Sequence, residues 1–198
     1  MHPLGIPLKI GLIAATLVAL AGCATTPPPT FYQLEEPAST QLSGLERGIA
    51  VGVERINVAP YLDRPQIVIR GTGHRLELSE FNRWVEPLTE SISRVIIVNL
   101  SNMLESTRVY STPRRTKVID LDFRVDIDIA RFDGVLGGDA TLVGRWTLYN
   151  RDSAALLTKV SIINEPSGGE GFDKLIAAQN RTLQKLSEEI ADAVKANR

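Results

Sequence analysis

Few side chains in this sequence are of the kinds that do covalent chemistry. It has one cysteine, Cys23, and two histidines, His2 and His74. A nucleophile needs a base within hydrogen-bond reach, most often an imidazole. His74 stands in Gly71-Thr72-Gly73-His74, which reads as a turn, and it is expected on the surface. Zinc sites built on several histidines or thiolates have no residues to draw on once His2 and Cys23 are otherwise accounted for. Carboxylates remain. Asp120, Asp122, Asp126 and Asp128 alternate with apolar residues between Ile119 and Ile129. Side chains on one strand face recur at about 7 Å and do not converge on a point, and Arg124 interrupts these four. The row reads as a solvated strand face that also discourages edge-to-edge aggregation, not as a metal or acid–base site. No lone Asp or Glu sits in an apolar setting of the sort that raises a glycosidase acid. The residues point to a protein that is not an enzyme.

Cys23 has a different role. Lys9 precedes an apolar run from Ile10 to Ala21, too short to span a bilayer stably, and Leu20-Ala21-Gly22 supplies small residues before the cysteine. The arrangement resembles the lipobox of bacterial lipoproteins. That resemblance implies a diacylglycerol on the Cys23 sulfur, cleavage before it and an acyl chain on the new amino terminus. Each buried methylene contributes about 0.8 kcal/mol, so three chains make an effectively permanent anchor. Residues 1–22 are then a cleaved signal peptide, and 23–30 form a lipidated terminus with a proline-rich tether (Pro27-Pro28-Pro29), stiff and extended. Residues 31–198 form a single periplasmic domain. Ala24 after the cysteine favours the outer membrane by the family's sorting rule. No cofactor is expected beyond the acyl chains.

Composition excludes one more class. Lys plus Arg is 22 against 23 for Asp plus Glu. Without Lys9 the balance is 21 against 23, a charge of −2 with no clustered basic surface, so nucleic acid is not an expected partner.

The elements follow from periodicity. Phe31-Tyr32-Gln33-Leu34 reads as a short strand. Ile49 to Val58 alternates as one strand and stops at Ala59-Pro60. Tyr61 to Arg70 reads as an irregular corner leading into a second strand, and Arg75 to Leu78 as a short third, the two forming a hairpin around the glycine turn. A helix is predicted from about Glu86 to Leu104 with Pro87 in its first turn. Its wide apolar face packs on a sheet or serves as a subunit interface. Ile119–Ile129, Ala140–Tyr149 and Leu156–Ile163 are antiparallel strands. Between the first two, Asp133 to Asp139 is a glycine-rich loop without the Lys and Ser/Thr ending of a phosphate-binding loop. Val135 and Leu136 at its tip are candidates for contact with lipid or a partner. The final helix spans about Phe172 to Ala196, with one stripe through Leu175, Ile176, Gln179, Leu183, Leu186, Ile190 and Val194. The expected fold class is α+β: a mostly antiparallel β-sheet with two long helices packed on one face.

Several segments together resemble the ABC-type transport auxiliary lipoproteins, the PqiC-like family. They are the lipobox followed by Phe31-Tyr32-Gln33-Leu34, then Val51-Gly52-Val53, and the corner Pro60-Tyr61-Leu62-Asp63-Arg64-Pro65-Gln66. Further on come Arg83-Trp84-Val85-Glu86-Pro87-Leu88, Arg131-Phe132-Asp133-Gly134, Gly144-Arg145-Trp146 and Ala177-Ala178-Gln179-Asn180-Arg181. The resemblance implies a lipid-anchored protein at the periplasmic face of the outer membrane, contributing to membrane integrity. Its implied partners are an MCE-domain protein, PqiB-like or ABC-linked, whose lipid-transport tunnel it would dock, and further copies of itself in a homo-oligomeric ring. An assembly lipoprotein of another outer-membrane pathway and a periplasmic lipid-binding carrier are the alternatives.

Tyr61, Leu62, Asp63, Arg64 and Pro65, together with Arg83, Trp84 and Glu86, are the expected partner-binding residues. Tyr, Trp and Arg are enriched at binding hot spots, and a proline-braced loop presents them at little entropic cost. On that reading, alanine at Tyr61 and Arg64 weakens partner capture and leaves the thermal midpoint nearly unchanged. Internal ion pairs, Asp63–Arg83 or Arg64–Glu86, are the scaffold alternative.

Overall fold

The alternating stretch around Phe123 becomes the middle of a sheet that carries both helices. The structure is a computed structural model that describes residues 27–38, 48–54, 56–112 and 120–198. Its strands are β1 (Thr30–Tyr32), β2 (Val51–Val53), β3 (Asn57–Val58), β4 (Gln66–Arg70) and β5 (Leu76–Trp84). After helix α1 (Leu88–Leu104) come β6 (Val109–Ser111), β7 (Phe123–Gly134), β8 (Asp139–Asn150) and β9 (Ala155–Pro166), then helix α2 (Phe172–Ala196).

Six strands form the main sheet, in the order β6-β2-β7-β8-β9 with β3 also on β7. β7, β8 and β9 are antiparallel, whereas β2 and β3 pair parallel with β7, and β6 parallel with β2. The sheet is therefore mixed, its antiparallel half built from the three long strands. Phe123, Val125, Ile127 and Ile129 of β7 and Leu142, Trp146 and Leu148 of β8 point into one core with Ile92, Ile96 and Leu100 of α1 and Leu183, Leu186 and Ile190 of α2. The opposite face carries exposed Asp128, Arg145, Val160 and Ile162. One polar link crosses between the helices, from Asn99 Nδ2 to Ser187 Oγ at 3.2 Å.

Two of the ladder irregularities, both in ladders of β7, change the expected registers. From Val53 to Asn57 there are four residue steps, opposite three from Val125 to Asp128. The extra residue breaks the predicted strand Ile49–Val58 into β2 and β3 and turns Ile56 into the core. In β7 the pairing skips Ala130, with Ile129 opposite Gly144 and Arg131 opposite Val143. Beyond it Phe132 faces the core, and Arg131 and Asp133 share the other face.

A second, three-stranded sheet has the order β1-β5-β4. The predicted hairpin forms its β4–β5 half, and β5 runs on past Leu78 to Trp84. β1 pairs parallel with the end of β5. The Tyr32 ring lies 5.9 Å from that of Phe172, so the small sheet sits against the start of α2. α1 begins at Leu88, with Pro87 as its N-cap in extended geometry (φ −53°, ψ 129°), one position before the first helical residue.

Candidate functional site

Backbone hydrogen bonds build the corner between β3 and β4. The Leu62 N–H donates to the Ala59 carbonyl (2.8 Å) and the Arg64 N–H to the Leu62 carbonyl (2.8 Å). The Trp84 N–H then donates to the Pro65 carbonyl (2.7 Å), so the two groups of expected binding residues meet in one place. They do not share one environment. Leu62 and Trp84 face the core, Asp63 and Pro65 are exposed, and Tyr61, Arg64, Arg83 and Glu86 are half-buried. Arg64 Nε is buried without a hydrogen-bond partner.

Beneath the corner lies a charged cluster that the alternation pattern does not reveal. The Asp133 side chain is fully buried. Arg70 grips it with two prongs, Nε to Oδ1 at 3.0 Å and Nη2 to Oδ2 at 2.8 Å. Arg131 Nε donates to Oδ1 at 2.8 Å, and the Tyr61 hydroxyl to Oδ2 at 3.0 Å. Burial alone would raise the Asp133 pKa; the bonds from Arg70, Arg131 and Tyr61 outweigh it and hold the carboxyl below its ordinary value. Burial, then the adjacent Asp133 charge, push the Tyr61 phenol up to about 12, so it stays a donor. The β7 bulge makes this possible: without it Asp133 would point at the helices. Asp133 therefore belongs to the strand, and the loop of the hairpin is the shorter stretch Val135–Gly138.

A second cluster sits where β5 passes into α1. Arg94 bonds both oxygens of Glu86, Nη1 to Oε2 at 2.8 Å, and also pairs with Glu36; Ser91 Oγ donates to Glu86 as well. Led by the Arg94 hydrogen bonds, these contacts lower the Glu86 pKa to about 2. Arg83 Nε donates to the Glu80 carbonyl at 2.9 Å, and its nearest carboxylate is Glu80, at 3.8 Å. Ion pairs do lock this region, but with partners other than Asp63–Arg83 and Arg64–Glu86.

The aspartate row disperses, as a strand face requires. Asp122 accepts from the Ala50 N–H (2.9 Å) and Arg151 Nη2 (2.7 Å), while Asp128 accepts from Asn57 Nδ2 (2.6 Å). Among the described residues no three His, Cys, Asp or Glu side chains converge on a point that could hold a metal. His74 is exposed in the turn. An open groove of about 510 Å³ runs over the outer face of the main sheet, lined by Val58, Ala59, Asp128, Val143, Arg145 and Val160 among others. No described helix is long and apolar enough to cross a membrane. Cys23, the signal segment and the start of the tether lie outside the described residues, as does Ile119.

A mixed sheet under two long helices and a small second sheet, braced by polar clusters between strands, define a domain of α+β class. The sequence matches the family model for the ABC-type transport auxiliary lipoprotein component over residues 32–191, and the chain belongs to that family. It is thus a lipoprotein component associated with transport. Two solved structures share the fold. One, described as an uncharacterized protein, has a TM-score of 0.71 and 19% identity, with 85% of this chain and 99% of that one covered. The other is protein XCC0632 from Xanthomonas campestris, assigned to the DUF330 family, with a TM-score of 0.62, 18% identity, and 85% and 100% coverage. No curated protein matches the chain significantly.

Proposed function

We propose that this protein is a non-catalytic adaptor, anchored through acylated Cys23 at the periplasmic face of the outer membrane, that docks or stabilises an MCE-type transenvelope lipid-transport tunnel and so contributes to membrane integrity. The observation that carries the reading is the family match over 32–191, to an auxiliary component of transport. The lipobox before Cys23 and the short Pro27-Pro28-Pro29 tether fit it, because they hold a rigid domain at a membrane for a partner to meet. Copies assemble as a ring around the tunnel end. The corner formed by Asp63, Arg64 and Pro65 presents the polar contacts, while Leu62, Trp84, Tyr61 and Glu86 hold that corner in shape.

The test is crosslinking in the intact envelope, followed by capture through a C-terminal tag and mass spectrometry. An MCE-domain protein recovered together with a ladder of self-crosslinked copies is the expected result. A β-barrel with its assembly factors, and no MCE protein, would overturn the reading in favour of an assembly lipoprotein of another pathway.

A further inference from the structure

The small sheet carries an apolar face that the fold does not cover. In β1, Phe31 is paired in register with Arg83 of β5, while the neighbouring pair Tyr32 and Trp84 turns inward. Alternation puts Val85 on the same outer side as Arg83. Phe81 stands beside them, in the irregular stretch of β5 between Leu78 and Arg83 where its ladder to β4 shifts register. The Val85 N–H continues the ladder by donating to the Tyr32 carbonyl at 2.9 Å. Phe31 and Val85 are each 57% exposed and Phe81 41%. Phe31 and Val85 thus flank one arginine, with exposed Phe81 two residues before it, and its guanidinium is steered by the Glu80 carbonyl.

What covers this face is indicated by where the chain comes from. Phe31 lies eight residues after Cys23, counting 31 minus 23. A fully extended chain spans about 3.3–3.6 Å per residue, so Phe31 stays within about 26–29 Å of the acylated cysteine. We propose that the outer face of the small sheet, Phe31 and Val85 beside Arg83 with Phe81 next to them, rests on the phospholipid surface in which Cys23 is anchored, fixing the orientation of the domain on the membrane. The proposal rests on acylation of Cys23. The anchor supplies the affinity. A patch tethered this closely meets lipid at high effective concentration and needs little binding strength of its own. Aromatic and aliphatic side chains enter the boundary between headgroups and acyl chains, and the Arg83 head stays at the phosphates while its stem lies among them. The exposed carboxylate of Glu80 borders the patch and would remain in water.

The experiment uses the full-length acylated protein reconstituted into phosphatidylethanolamine–phosphatidylglycerol vesicles with brominated acyl chains, which quench nearby tryptophan. Trp84 and Trp146 are buried and set a low baseline. Phe31→Trp and Val85→Trp report on the patch, and Ile162→Trp, exposed on the main sheet, is the reference. Quenching of the first two at least twice that of Ile162→Trp is the expected result. Acylated protein in which all three are quenched alike, or in which Phe31→Trp and Val85→Trp stay unquenched because a second copy covers them, overturns the patch. Mass spectrometry of the amino-terminal peptide separates this from a failed anchor: without acyl chains on Cys23, both the lipoprotein reading and the proposal built on it fall.

Discussion

The Arg70 guanidinium and the Asp133 carboxylate join the two sheets of the protein through a two-pronged ion pair, 3.0 and 2.8 Å long, in which the acid is wholly buried and the base about a quarter exposed. Removing one member of a buried pair leaves the other uncompensated, typically at 3–5 kcal/mol. Arg70 and Arg131 both reach solvent, which screens the loss. Asp133→Ala is therefore expected to destabilise the domain by about 2–3 kcal/mol, read as a lower urea midpoint at unchanged slope. A variant within about 0.5 kcal/mol of wild type would show that the pair contributes little net stability.

Tyr61 belongs to the same cluster, which alters the expectation drawn from its residue type. A hydrogen bond to a charged group contributes about 1.5–3 kcal/mol. Tyr61→Phe deletes only the hydroxyl and should lower stability by about that amount, with Arg64→Ala near neutral. Partner capture lost in Arg64→Ala but retained in Tyr61→Phe would separate contact from scaffold. Equal midpoints for both variants would contradict the role given to the phenol.

Acid should unfold the protein through its paired carboxylates. The folded-state pKa of Glu86 is lowered from 4.5 to about 2, and that of Asp133 is also held down. A depressed folded pKa gives stability that is fully present above the unfolded value and is lost as pH falls through the folded one. The thermal midpoint is thus expected to be level above about pH 5 and to fall between about pH 4.5 and 2. Glu86→Gln should flatten part of that fall. A midpoint that instead rises on acidification in this window would reverse the assignment.

Backbone spacing makes a sharper case at Gly134. A Cβ there would stand 2.6 Å from the Asp139 carbonyl oxygen and 2.6 Å from Leu175 Cδ1. The first neighbour is backbone of the paired strand and cannot swing aside, so Gly134→Ala should cost about 1–3 kcal/mol by overpacking. Gly73→Ala is the comparison: it has open space but φ of +69°, so any loss there is conformational and smaller. A thermal melt of the two variants decides the order.

Much of this architecture could be read from residue spacing. The stripe Leu175 to Val194 predicts α2 over the residues it occupies, and the alternation of Phe123, Val125, Ile127 and Ile129 predicts the dry face of β7. Periodicity fails where an extra residue slips into a ladder. Nothing in Ile129-Ala130-Arg131 announces that Ala130 is skipped, yet that skip decides which side Asp133 faces. The parallel pairing of β2 and β3 with β7 was equally hidden: read as one strand, Ile49 to Val58 shows alternation but not its partner, and β2 and β3 are only three and two residues long. Tyr61 and Arg83–Glu86 drew attention through residue type. Their partners Asp133 and Arg94 are 72 and 8 residues away in the chain, and only the fold brings them together.

β9 is the exposed edge of the main sheet, and its outer face is apolar where edges usually carry charge. Val160 is 53% and Ile162 68% exposed, opposite Arg145 and Val143 of β8. An edge strand also presents a free row of backbone donors and acceptors, a template for another strand or sheet face. If copies assemble in the envelope as proposed, this edge offers exposed apolar area that a neighbouring copy would cover. Val160→Lys with Ile162→Lys puts two charges on that face without touching the core, since Ser161 and Ile163 point the other way. The thermal midpoint should stay within about 2 °C, because surface substitutions away from special features change stability by only about 0.5 kcal/mol. Self-crosslinked species should fall at least fivefold. An undiminished ladder would place the contact between copies elsewhere, while loss of both the ladder and the midpoint would mean that β9 is held by its outer face as well as its inner one.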